Sequence, residues 1–210
     1  MNAVLRLLIF LPCLAAAQES NGYHQHDGLF LSLSGGPAFG PITLAASGQS
    51  FKKMEYTGAG GMLDVKLGWT LARTVSLSAD FMKRTIFDPE EELDGRKPPF
   101  SNEVSASDQL MGAGITYYFM PFNVFVSGTL GVAKFTFKND ARDINASSQS
   151  GFGVSLKAGK EWWVASDWGL GVSAGFATGI ADDKEDPLTP SYSGKLSTSK
   201  LFVLFTTTYN

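Results

Sequence analysis

Residues 150–180 read SGFGVSLKAGKEWWVASDWGLGVSAGFATGI, and the alternation in this stretch decides the fold. Phe152, Val154, Leu156, Ala158, Trp162 and Val164 share one face, with Gly153, Ser155, Lys157, Gly159 and Glu161 on the other. Beyond a tight turn at residues 165–167, Trp168, Leu170, Val172, Ala174 and Phe176 alternate with Gly169, Gly171, Ser173, Gly175 and Ala177. Period two means strands with one apolar and one polar face. Each strand runs to about a dozen residues, whereas globular strands cluster near 5–6 and a tilted strand needs roughly 9–11 to cross a bilayer. Three tryptophans crowd the turn, where an aromatic belt would meet a membrane–water interface. The stretch predicts a transmembrane β-hairpin.

Working outward, the same alternation predicts strands at residues 28–36, 58–69, 75–84, 108–119 and 124–137, and a last strand ending at 201–209. The links between the eight strands are 21, 5, 23, 4, 12, 3 and 14 residues long. Alternating long and short links, with an even strand number, are the mark of an outer-membrane barrel with short periplasmic turns and longer extracellular loops. The predicted fold class is therefore all-β, an eight-stranded antiparallel up-and-down transmembrane β-barrel. Of 20 acidic residues, 13 fall in the four long loops, so the two ends differ in charge as well as in length. Trp69, Trp162, Trp163 and Trp168 all stand beside short turns and are expected to form a periplasmic aromatic girdle.

The first 17 residues read as a secretory signal peptide. Arg6 is the positive start, residues 7–14 the apolar run and Ala15-Ala16-Ala17 the small-residue cleavage site. The run is far shorter than the ~18 residues of a membrane-spanning helix. Its removal takes away Cys13, the single cysteine, and so leaves no disulfide framework. Losing Arg6 as well leaves 16 basic against 20 acidic residues, a net charge of −4, which is no footprint for nucleic acid. Residues 18–27 are expected to form a loose polar segment and residues 28–210 the barrel.

Three stretches carry a family likeness: GLFLSLSGG at 28–36, GWTLARTVSLSADF at 68–81 and GFGVSLKAGKEWWVASDWGLGVSAGFATG at 151–179. They resemble the small bacterial outer-membrane β-barrels of the OmpA/OmpX architecture. The resemblance implies the outer membrane of a Gram-negative bacterium, with membrane lipid and lipopolysaccharide around the barrel and the barrel insertion machinery as a partner. It leaves the role open, since that architecture serves structural, adhesive, channel and enzymatic purposes. The family usually ends on an aromatic residue; here Tyr209 is penultimate, before Asn210.

Several residues are candidates for chemistry. Asp64, Lys66, Asp80, Lys157 and Glu161 would point into the lumen, and buried charges persist only when paired. A mutually neutralising ion-pair plug is the expectation, with a gated narrow pore as its rival. Lys160 falls on the lipid face, so either it snorkels towards Trp162 or a bulge at Gly159 turns it inward. His24, His26 and Asp27 lie close together, but two histidines fall short of the three or four ligands a metal needs. No metal and no cofactor are expected. These are the only histidines, and both precede the first strand. The histidine general-base chemistry of lipid-modifying barrel enzymes is therefore not expected. The acidic run from Asp88 to Asp94 reads as a solvated loop rather than a Ca²⁺ site. Glycine patterns at 153–160 and 169–175 each miss the phosphate-loop and dinucleotide spacings by one residue. Lys52, Lys53, Lys83, Arg84, Lys134 and Lys138 are expected at the outer rim, where they would meet lipopolysaccharide phosphates.

The expected role is structural or interactive, displayed through four extracellular loops to a ligand the sequence does not name, without catalysis. The rivals are a narrow channel, a lipid A-modifying enzyme, and a soluble lipocalin-like barrel whose apolar faces would point inward.

Overall fold

The computed structural model describes residues 26–47, 52–97, 104–139, 144–183 and 193–210. The predicted signal peptide and His24 lie outside these residues. Eight long strands close the barrel: β1 (Gly28–Phe39), β4 (Ala59–Ala72), β5 (Val75–Phe87), β7 (Val104–Phe119), β8 (Val124–Asn139), β10 (Gly151–Trp163), β11 (Trp168–Asp182) and β12 (Ser193–Tyr209). Each pairs antiparallel with the next, and β12 returns to β1. Starting at Leu29, the partners run Trp69, Leu77, Ile115, Gly128, Leu156, Phe176 and Leu201, and then reach Phe39, ten residues further along β1. That stagger is the shear that tilts the strands into the roughly 35–45° range of closed barrels.

The period-two pattern becomes two surfaces. Leu29, Leu31, Leu33, Leu63, Leu67, Met111, Ile115, Leu130, Leu156 and Phe205 lie on the outside and are exposed. A water-soluble barrel would bury such a belt, so the lipocalin reading fails and the belt faces lipid. Leu67, midway down β4 and 55% exposed, tests this. Leu67→Arg is expected to destabilise the folded protein by about 2–4 kcal/mol, read from urea unfolding in lipid vesicles.

The strands are longer than the sequence pattern suggests, and the long links are not structureless. β2 (Ile42–Ser47), β3 (Lys53–Thr57), β6 (Glu90–Leu93) and β9 (Ile144–Ser147) occupy three segments predicted as loops. β2 pairs with the upper part of β12, β3 with β2, β6 with β3, and β9 with β8. They are too short to cross a bilayer and borrow their order from barrel strands that rise past the lipid belt. Turn lengths at the other end agree with expectation: β10 and β11 are joined by four residues, 164–167.

Strand β8 carries apolar residues on both faces. Val124, Val126, Leu130 and Val132 face outward, while Phe125 and Phe135 are buried inside. The interior is therefore not only glycine, serine and alanine; it also holds bulky apolar layers.

Candidate functional site

The lumen is where charge and burial meet, and β5 alone reads its layers from the short-turn end upward. Ser76, Ser78 and Asp80 are followed by Met82, then Arg84, then Ile86, all buried. β12 runs the opposite way and gives the same order inverted: Leu196, then Thr198 and Lys200, then Phe202 and Leu204, then Thr206 and Thr208.

The lower charged layer gathers predicted residues. Lys66 and Asp80 are direct cross-strand partners on β4 and β5 and form an ion pair. Asp80 also accepts from Ser78 Oγ at 2.5 Å and from the Thr129 hydroxyl. Lys157 on β10 reaches across the lumen to Asp64 Oδ2 at 2.6 Å. Glu161 stands apart from both pairs and accepts from Thr208 Oγ1 at 2.8 Å. The structure thus brings Asp64, Lys66, Asp80 and Lys157 into one layer and places Glu161 nearer the floor.

An apolar layer of Ala38, Met62, Met82, Leu110, Ala177, Phe202 and Leu204 covers this one. Above it lies a second charged layer that the sequence reading missed. Arg84 Nε donates to Asp108 Oδ2 at 2.6 Å, and Lys200 pairs with the other oxygen of Asp108. Arg84 also donates to the Gly40 carbonyl at 2.6 Å and to Thr198 Oγ1 at 2.9 Å. Arg84 corrects an expectation: it belongs to the lumen, not the rim. Its parity with Asp80 and Met82 was the available signal; Asp108 opens the predicted strand 108–119, and Lys200 follows from carrying the alternation of 201–209 one residue further back. A last apolar layer of Ile42, Ile86, Ala106, Phe135, Ala181 and Leu196 closes the top.

Among the described residues, the buried charges other than His26 are Asp64, Asp80, Asp108 and Glu161 against Lys66, Lys157, Arg84 and Lys200. Four acids against four bases sum to zero when all are ionised. None is more than 5% exposed. The lumen is solid.

The floor is aromatic. Phe30, Tyr118 and Phe125 pack together there. His26 stacks on Tyr118 with ring centroids 3.6 Å apart, lies 5.0 Å from the Trp163 ring, and donates from Nε2 to Asn123 Oδ1 at 2.9 Å. Two expectations change here. His26 is fully buried rather than part of a loose terminus, because its ring fills the barrel mouth and finds a polar partner. Trp163 does not join a lipid-facing girdle; it shares the parity of Lys157 and Glu161 and is buried at 7% exposure. Trp69 and Trp168 are exposed at that end and Trp162 is half-buried.

Desolvation holds the His26 ring below its usual 6.5, against the opposing pull of Asn123 and Asn210. A depressed folded value means that the unfolded chain binds the proton more readily. This contribution to stability is thus present above 6.5 and is lost as pH falls below it. Unfolding midpoints compared between about pH 8 and pH 5 should drop further for the wild type than for His26→Gln.

Lys160 keeps the regular register opposite Val172 and Val124, with no bulge. Its Nζ donates to the Phe122 carbonyl at 2.7 Å and lies 5.6 Å from the Trp162 ring centroid. It snorkels to the lower interface, as the first alternative held.

No protein-family model matches the chain, and no curated protein matches it either. Solved structures do. The outer membrane protein AlkL, studied in DMPC bilayers, aligns over 91% of this chain and 92% of its own, at 12% identity and a TM-score of 0.51. The chain has the fold of an outer-membrane β-barrel. OprG from Pseudomonas aeruginosa aligns over 90% and 99% of the two chains at 13% identity and a TM-score of 0.49. Neisserial surface protein A aligns over 87% and 96% at 12% identity and 0.47. With its exposed apolar belt, this barrel is built to span a lipid bilayer.

Proposed function

We propose that this barrel is a non-conducting, non-catalytic scaffold of the outer membrane that presents its extracellular strands as an interaction surface. The observation that carries this reading is the solid lumen joined to an ordered extension. Charged and apolar layers alternate, the charged residues at most 5% exposed, and β2, β3, β6 and β9 continue the wall above the lipid belt. An eight-stranded interior is just wide enough for side chains to fill, and here they do. His26, the histidine within the described residues, is sealed in the floor and offers no general base to solvent.

The test has two parts on one preparation. Planar-bilayer recording of the folded barrel is expected to give no current above bare lipid, and discrete openings would overturn the scaffold reading in favour of a channel. Replacing residues 42–57 by a short Gly-Ser turn is expected to leave heat-modifiable migration intact while abolishing surface adhesion of expressing cells. Unchanged adhesion would remove these strands as the interacting element.

A further inference from the structure

The outer wall is apolar through its middle and turns polar near the extracellular end, with Thr178 and Ser199 on β11 and β12 and a lysine-bearing patch on β5, β7 and β8. There the last apolar row is Phe81, Met111 and Val132, in register across the three strands. The next outward row is Lys83, Gln109 and Lys134. Above it, Thr85, Ser107 and Thr136 form a hydroxyl row, with Thr85 and Ser107 hydrogen-bonded at 3.1 Å. Lys138 stands one row higher, opposite Ser105. These side chains line a hollow of about 240 Å³. On β4, which flanks β5, and on β1 beyond it, outward positions carry Leu63, Gly61, Pro37 and Phe39, none of them charged.

Two features separate this patch from ordinary rim lysines. Lys53 is already paired with Glu55 at 2.5 Å, but among the described residues no carboxylate pairs with Lys83, Lys134 or Lys138. Asp108, whose backbone runs beneath the hollow, points inward and is held by Arg84 and Lys200. Lys83 and Lys134 flank Gln109 at two strand spacings, roughly 10 Å, a span that brackets one tetrahedral anion. The cations therefore converge outward, at the height where acyl chains end and headgroups begin, with amide and hydroxyl donors between them.

We infer that Lys83, Lys134 and Lys138, with Gln109, Ser107 and Thr136, form a docking site for the phosphorylated headgroup of an outer-leaflet lipid. The apolar row below accepts the acyl chains and the lysines take the phosphate as charge-assisted donors. This rests on the barrel residing in the outer membrane. The occupant is a lipid rather than free phosphate because the donors sit directly on the edge of the lipid-facing belt.

The test uses the full barrel folded in detergent, with lipid A as the probe and native mass spectrometry as the readout. The wild type is expected to retain one lipid A. At roughly fivefold per lysine, Lys83→Gln, Lys134→Gln and Lys138→Gln together should weaken retention on the order of a hundredfold. The Lys→Arg triple variant should keep the lipid, and Lys195→Gln should change nothing. Heat-modifiable migration of every variant reports the barrel separately, so loss of lipid with retained migration supports the site. Undiminished lipid on the Gln variant would overturn it, as would equally tight binding of inorganic phosphate. Loss of migration in the wild type would instead remove the membrane reading beneath it.

Discussion

Asp108→Ala is expected to destabilise the barrel by about 3–5 kcal/mol, the cost of breaking a buried ion pair from one side. Asp108 is the shared counter-ion of Arg84 and Lys200, one across the β5–β7 ladder and the other across the lumen. Removing it leaves two cations, each at most 3% exposed, with no other carboxylate among the described residues in ion-pair contact with them. The apolar layers above and below give them no water to turn to. Removing one cation as well should restore part of the loss: Asp108→Ala with Lys200→Met should be more stable than Asp108→Ala alone. Urea unfolding in vesicles, followed by tryptophan fluorescence, measures both. Equal stability of wild type and Asp108→Ala would mean that the upper layer is hydrated.

Gly114→Val should cost about 3 kcal/mol or more, through overpacking together with loss of a buried pair. Any Cβ at position 114 would fall on the Asp80 carboxylate. That carboxylate is not free to move, since Lys66, Ser78 and Thr129 all hold it. The glycine is thus the space in which the lower ion pair sits. The cost should shrink when Asp80 is already gone: Gly114→Ala should be much cheaper in an Asp80→Ser/Lys66→Met background than in the wild type. Additive costs would show that Gly114 serves the backbone alone.

The barrel itself was legible because a lipid-facing wall demands strict alternation, and residues 150–180 alternate over two crossings, broken in the first strand at Lys160. Lumen charges were legible where a strand was recognised, as at Asp64, Lys66, Asp80, Lys157 and Glu161. Arg84, Asp108 and Lys200 were missed for a related reason. Above the bilayer the outward face becomes polar, as at Lys83, Gln109 and Ser199, so Arg84 and Asp108, at the very ends of the predicted strands 75–84 and 108–119, look like rim residues, and Lys200 falls just outside the predicted 201–209. Trp163 was misread because composition near the turn was weighed above parity. His26 shows the opposite limit: no periodicity assigns a residue before the first strand, and only the packed floor reveals that its ring closes the barrel. The short strands β2 and β6 depend on neighbours far away in the chain, β12 and β3, which a local pattern does not carry.

The central claim is a barrel whose outward residues touch lipid and whose inward residues touch only one another. Spin labels placed singly at positions 124–132 of β8 in lipid vesicles, scanned for collision with oxygen and with a water-soluble nickel complex, test both halves together. The account predicts high oxygen access at Val124, Val126, Gly128, Leu130 and Val132, and low access to either probe at Phe125, Ser127, Thr129 and Gly131. Nickel access at the second set would mean a water-filled lumen, and loss of the alternation would mean no membrane barrel at all.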